Sequence, residues 1–191
     1  MPEVLLADDL SETTPLWRVD REIKVPRRAA EMAQKVRPLL QICTEIRFID
    51  QYFDPTKHRY REVLSHFLLA MHGNSRITLI EYHLNDELGA SLFRSECERR
   101  LPCLLPKGLK MTLVRWRKER ETAGETLHPR YILTDKGGIR VEHGLDEGED
   151  GETTDISLLG ETLYSQRWSE YQRDAGVHEY VDQVEITGER E

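Results

Sequence analysis

The chain has 191 residues, 38% of them hydrophobic and 32% charged, with a formal net charge of −8 and three cysteines. That profile fits a globular domain with one real core and excludes a disulfide scaffold, since Cys43, Cys97 and Cys103 form no CxxC pair and leave an odd count. No apolar run approaches the roughly 18 residues that span a bilayer, and the N-terminus lacks the basic start of a secretory signal, so no transmembrane segment and a reducing, cytoplasmic setting are expected.

Residues 1–26 read as an N-terminal arm, punctuated by Pro2, Pro15 and Pro26. After Pro26, Ala29, Met32, Ala33, Val36 and Leu40 form a helical stripe that Pro38 is expected to kink or end. Residues 45–50 alternate as a strand and run into the turn Gln51-Tyr-Phe-Asp-Pro55. From His58 a second helix is marked by Tyr60, Val63, Leu64, Phe67, Leu68 and Met71, with Gly73-Asn74 to stop it. Residues 76–82 are strand-like, and Asp86 can cap a helix to about Leu101 with Leu88, Leu92, Cys97 and Leu101 on one face. Residues 109–116 alternate as a strand. Residues 128–135 and 138–143 read as a hairpin across Asp135-Lys-Gly-Gly, 155–159 as a short strand, and 162–173 as a helix with Tyr164, Trp168 and Tyr171 on one side. Strands alternating with helices predict an α/β domain over 27–175, a mixed and mostly parallel sheet flanked by helices, followed by an acidic tail over 176–191.

Charge is unevenly placed. Residues 94–120 carry nine Lys and Arg against three acids, whereas 142–191 carry three against fifteen. The basic stretch suits a polyanion and the acidic end repels one. The run Gly144-Leu-Asp-Glu-Gly-Glu-Asp-Gly-Glu152 does not follow the order of an EF-hand and reads as a flexible acidic loop, with the charge to lie over a cationic site and compete with phosphate. His58, His66, His72 and His83 lack metal-ligand spacing, so no metal and no cofactor are expected.

The segment Leu127-His-Pro-Arg-Tyr-Ile-Leu-Thr-Asp135 carries the chemistry. On a strand His128 and Arg130 share a face, which joins a permanent forked cation to a group able to attack phosphorus or carry a proton near neutral pH. Asp135 closes the segment as a candidate orienting carboxylate. Asp50, Tyr52 and Asp54 follow a strand, where α/β sheets place ligand crevices, and Glu142 and His143 adjoin the hairpin; these five are candidate ligand-binding residues, with turn chemistry as the plain alternative for the aspartates.

The pattern H-x-R-x4-D resembles the H-x-K-x4-D signature of the phospholipase D superfamily. A wider similarity, carried by 46–54, 127–139 and His143-Gly-Leu-Asp146, is to the phospholipase-D-like domain at the C-terminus of MIT-domain proteins of the ESCRT-III pathway. The resemblance implies a homodimeric domain associated with phosphoinositide or membrane binding. It also implies His128 as nucleophile or general acid, Arg130 as phosphate clamp and Asp135 as orienting group. Two departures matter: Gly138-Ile-Arg-Val-Glu142 replaces the small-residue segment ending in Asn, and there is a single motif, so two would meet only across a two-fold axis. The expected function is therefore recognition of a phosphorylated ligand, nucleic acid or lipid head group, with weak or absent catalysis. The alternatives are a metal-independent phosphodiesterase working through a phosphohistidine and a scaffold for a protein partner.

Overall fold

The structure, a computed structural model, describes residues 20–117 and 130–191. Its elements in chain order are β1 (Glu22–Pro26), α1 (Ala29–Ile42), β2 (Glu45–Ile49), α2 (His58–Ala70), β3 (Leu79–Asn85), α3 (Ala90–Arg100), β4 (Lys110–Trp116), β5 (Arg130–Thr134), β6 (Gly137–Val141), β7 (Thr153–Leu158), α4 (Glu161–Glu170) and β8 (Tyr180–Thr187). The eight strands form one mixed sheet in the order β1-β7-β6-β5-β2-β3-β4-β8. The chain is a mixed α/β domain with helices flanking that sheet.

The sheet is not mostly parallel. Only β2–β3 and β3–β4 pair in parallel; the other five pairings are antiparallel. The connections explain this: α2 and α3 return the chain to the start of the next strand, whereas the two-residue link Asp135-Lys136 can only reverse it. Two of the strands lie within the segments read as the N-terminal arm and the acidic tail. β1 pairs with β7 at one edge, and β8 pairs with β4 at the other. Both read poorly because edge strands carry charge on their solvent side.

Period-two alternation divides the core. Ile46, Phe48, Ile80, Tyr82, Met111, Leu113 and Ile132 face α1, α2 and α3, while Ile49, Val114, Trp116, Tyr131 and Leu133 gather with Tyr171, Tyr164 and Trp168 on the α4 side. The stripe of α1 is buried as expected, yet the helix runs through Pro38 to Ile42, held by Val36 and Leu40 on either side. In α3 the phase differs from the expected one. The helix starts after Gly89 rather than at Asp86, and Phe93 and Cys97 face inward while Leu92 stands exposed. Asp86 instead accepts from Arg117 Nη1 at 3.0 Å.

Following strand directions across the sheet, β1, β2, β3, β4 and β6 all end at the same edge, and β5 begins there. Arg27, Asp50, the turn after β3, Arg130 and the loop after β6 are thereby brought together. No helix among the described residues is long and apolar enough to cross a membrane.

Candidate functional site

At that edge lies a polar cleft of about 240 Å³ bordered by Asp50, Tyr52, Arg130 and His143, with Arg27, Lys57 and Arg59 supplying further cations. Asp50 closes its floor. It is 1% exposed, and its carboxylate accepts from the Leu145 amide at 2.8 Å and the Tyr52 amide at 3.0 Å. Burial nevertheless pushes its carboxyl above the ordinary value, overriding those amides and the nearby Arg130. Arg130 Nε lies 4.0 Å from Asp50 Oδ1, and the guanidinium stacks over Tyr52 with 5.0 Å from its carbon to the ring centre. Arg130 Nη1 donates to the Glu142 carbonyl at 3.4 Å, whereas its buried Nε has no hydrogen-bond partner.

The second wall is the Gly144-Leu-Asp146 turn. Asp146, 2% exposed, is paired with Arg27 and with Arg59, whose Nε stands 3.1 Å away. Gly144 has φ +130°, and a Cβ there would come within 2.6 Å of Asp146 Oδ1, so glycine is required both by the backbone and by the close carboxylate. Tyr60 lies alongside, its hydroxyl pushed up to about 12 by burial and by the Asp50 and Asp146 charges.

The acidic run 144–152, expected as a flexible loop, is tied to the fold by four of its carboxylates as well as by the Leu145 amide. Beyond Asp146, Glu147 accepts from the Ala29 amide at 3.1 Å at the N-terminus of α1, Asp150 pairs with Arg28, and Glu152 pairs with Arg27 at 3.3 Å. A helix start that lacks its own capping side chain is thus satisfied by a carboxylate from far along the chain.

The structure sorts the expected site residues. Asp50, Tyr52, Arg130 and His143 converge on one cleft. Asp135 does not: it ends β5 at the far side of the sheet, roughly 16 Å along the strand from Arg130. There it accepts from the Thr44 amide at 2.7 Å and the Glu45 amide at 3.1 Å. Burial alone would raise this carboxyl, but those amides and Lys136 hold it well below the usual carboxylate range. Its role is to fasten the start of β2. Asp54 holds its own turn, accepting from the Thr56 amide at 2.8 Å and hydroxyl at 2.7 Å. Glu142 offers the cleft's arginine its main-chain carbonyl, not its carboxylate. His128 lies outside the described residues.

Sequence reasoning missed Arg27, Lys57, Arg59 and Asp146. One signal was present: α2 opens with Lys57, His58, Arg59 and Arg61 and no acid in its first turn. Cations at a helix N-terminus oppose the macrodipole, which marks them as placed for something other than helix stability.

No protein-family model matches the sequence, and no curated protein matches it. Among solved structures, TrmBL2, an archaeal chromatin protein described as showing a novel mode of DNA binding, aligns over 92% of this chain with 9% identity and a TM-score of 0.41. This chain spans 59% of the TrmBL2 chain. Among the described residues no group of three His, Cys, Asp or Glu is placed to hold a metal ion.

Proposed function

We propose that the chain is a phosphate-recognition domain of phospholipase-D-like architecture whose ligand carries its phosphoryl group into the cleft beside Arg130. The observation that carries the reading is convergence. Arg27, Arg59, Arg130 and Lys57 come from three separate regions of the sequence and border one cleft at the edge where the parallel strands end. Guanidinium forks suit phosphoryl oxygens, and the low-lying Asp50, disfavoured as an anion by burial, opposes them less than its formal charge suggests. The three segments that carry the family resemblance also meet here, through Asp50, Arg130 and His143-Gly-Leu-Asp146.

Titration calorimetry with inorganic phosphate tests the proposal. Arg130→Ala removes the one arginine of the cleft that is not committed to Asp146, and a lost charge-assisted bond weakens binding about tenfold or more. The side chain sits at the start of an otherwise apolar strand, so the melting temperature should stay close to that of the unaltered protein. Unchanged phosphate affinity in a folded Arg130→Ala variant overturns the reading.

A further inference from the structure

The two outermost strands of the sheet each turn a row of main-chain groups outward, and the fold treats the two rows differently. In β8 the Gly188 amide donates to the Leu109 carbonyl at 2.8 Å, so Ile186 and Val184, at steps of two, also face β4 while Gln183 and Glu185 point away. The Gln183 carbonyl is met by Arg94 Nη2 at 3.3 Å, so α3 guards that edge. Along β1 the Leu158 amide donates to the Arg21 carbonyl at 2.7 Å, and just past its end the Arg27 amide donates to the Glu152 carbonyl at 2.9 Å. The odd-numbered residues therefore face β7, and the N–H and C=O of Glu22 and Lys24 point away from the sheet. Among the described residues no strand pairs with this outer side.

The side chains of β1 suit a particular cover. Glu22 and Lys24 are exposed on one face. On the other, Ile23 is half-buried and lines a mainly apolar groove of about 970 Å³ with Val36 and Leu39 of α1 and Ile156 and Leu158 of β7, Leu158 being 47% exposed. We propose that the outer edge of β1 pairs antiparallel with the same edge of a second copy of this chain, about a two-fold axis through Ile23. Charge selects the register. A two-fold at Ile23 sets Glu22 opposite the partner's Lys24, and Lys24 opposite the partner's Glu22. Each opposed pair exchanges two main-chain bonds, and the two Ile23 side chains meet beside the grooves. An axis at Glu22 or Lys24 opposes that residue to its own copy, and one at Arg21 opposes Asp20 to Glu22. An axis at Val25 opposes Lys24 to Pro26, which has no N–H to give. An edge lysine by itself repels a second edge; Glu22, two residues earlier, makes this edge its own complement.

The pairing has a consequence for the cleft. Antiparallel strands run the two copies in opposite directions, so the two clefts lie on opposite edges of the joined sheet. Each cleft stays complete within its own chain, unlike the shared site that the family resemblance implies, and the seam stands whether or not the cleft binds phosphate.

Sedimentation equilibrium of the full chain tests the seam, with circular dichroism to confirm that each variant is folded. The unaltered chain should dimerise. Lys24→Glu and Glu22→Lys each turn two attractive contacts per dimer into two like-charge ones, so each should raise the dissociation constant at least about tenfold. An equal mixture of the two variants should associate again, because a mixed pair sets Glu against Lys at both contacts. The double variant Glu22→Lys, Lys24→Glu should dimerise alone for the same reason. A chain that sediments as a monomer at every concentration overturns the seam. So does a dimer indifferent to both single substitutions, which would lie elsewhere on the surface, and so do two variants that stay apart when mixed.

Discussion

At the residue scale the cleft is a set of cations held in place by buried carboxylates, Asp50 and Asp146. The folded-state carboxyl of Asp50 is raised by burial above the ordinary value of 3.8. Asp50 therefore contributes to stability fully below that ordinary value and loses the contribution as pH rises through its raised one. For ligand binding the sign is the same. Protonated Asp50 withdraws a negative charge about 4 Å from Arg130, and two charges at that spacing interact by about 1 kcal/mol even at the dielectric of water. Sulfate keeps a constant charge over the range and is the suitable probe. Its affinity should rise roughly fivefold as the pH falls through the Asp50 transition, and Asp50→Asn should flatten the profile. A profile that keeps its slope in the variant would assign the titration to another group.

Asp146 works the other way. Replacing it with Asn removes the counter-charge that Arg27 and Arg59 share; Arg59 is half exposed and Arg27 keeps Glu152, so the cost is about 1 kcal/mol. The expected result is a lower midpoint in urea together with tighter phosphate binding, since two guanidinium groups are released toward the cleft. Tighter binding without the stability loss would mean that Asp146 competes with ligand but does not hold the turn. Half of this cleft was legible in the sequence. Arg130 and His143 flank one hairpin and Asp50 and Tyr52 follow one strand, so local pattern reaches them. Arg27 and Arg59 meet Asp146 only because β1, α2 and the β6–β7 loop converge in space, and no short-range pattern encodes that. Asp135 misled for a related reason: spacing of five along a strand sets the face, but it also carries the side chain to the opposite edge of the sheet.

At the element scale, helices and inner strands were read well because a buried stripe or alternation states its own period. The two edge strands were not. β8 alternates only from Val184 onward, with Glu185 exposed and Asp182 putting a carboxylate on the same face as Val184, which made the segment look like an acidic tail. Asp182 is structural. Its carboxylate accepts two bonds of 2.6 Å from Arg115 Nε and Nη2, and Arg115 is only 2% exposed and packs over Phe93 at 4.8 Å. Asp182→Ala leaves that guanidinium buried and unpaired, so an equilibrium urea titration should show a loss of about 3 kcal/mol. A loss under about 1 kcal/mol would mean that the Leu88 carbonyl, which also accepts from Arg115, suffices. On the α4 side, β3 contributes a matching buried cluster. His83 Nε2 donates to Glu81 at 3.3 Å while its Nδ1 accepts from Trp116 Nε1 at 3.0 Å, which fixes a neutral ring. Burial alone would raise Glu81, but the His83 N–H and the Arg47 guanidinium outweigh it and hold the carboxyl at about 2. Its contribution is present above the ordinary 4.5 and disappears as pH falls toward 2, so acid should loosen α4 first in that window.

At the scale of the whole molecule, the strand directions decide where ligand chemistry can be. Five strand ends and the starts of β5, β7 and β8 lie on a single edge, and every cation of the cleft is delivered by a segment at that edge. This bears on the expected homodimer. The family resemblance predicts a two-fold arrangement because one motif supplies one arginine. In this fold the same chain supplies Arg27, Arg59 and Lys57 as well, so anion contact does not need a second copy. Phosphate should therefore bind with one site per chain, and its affinity should not change when protein concentration is varied over a hundredfold range around any self-association seen by sedimentation. One phosphate per two chains, or an affinity that rises with concentration, would place the anion on a two-fold axis between two Arg130 side chains. The fold then acts as half a site, and the arginines held by Asp146 serve the turn rather than the ligand.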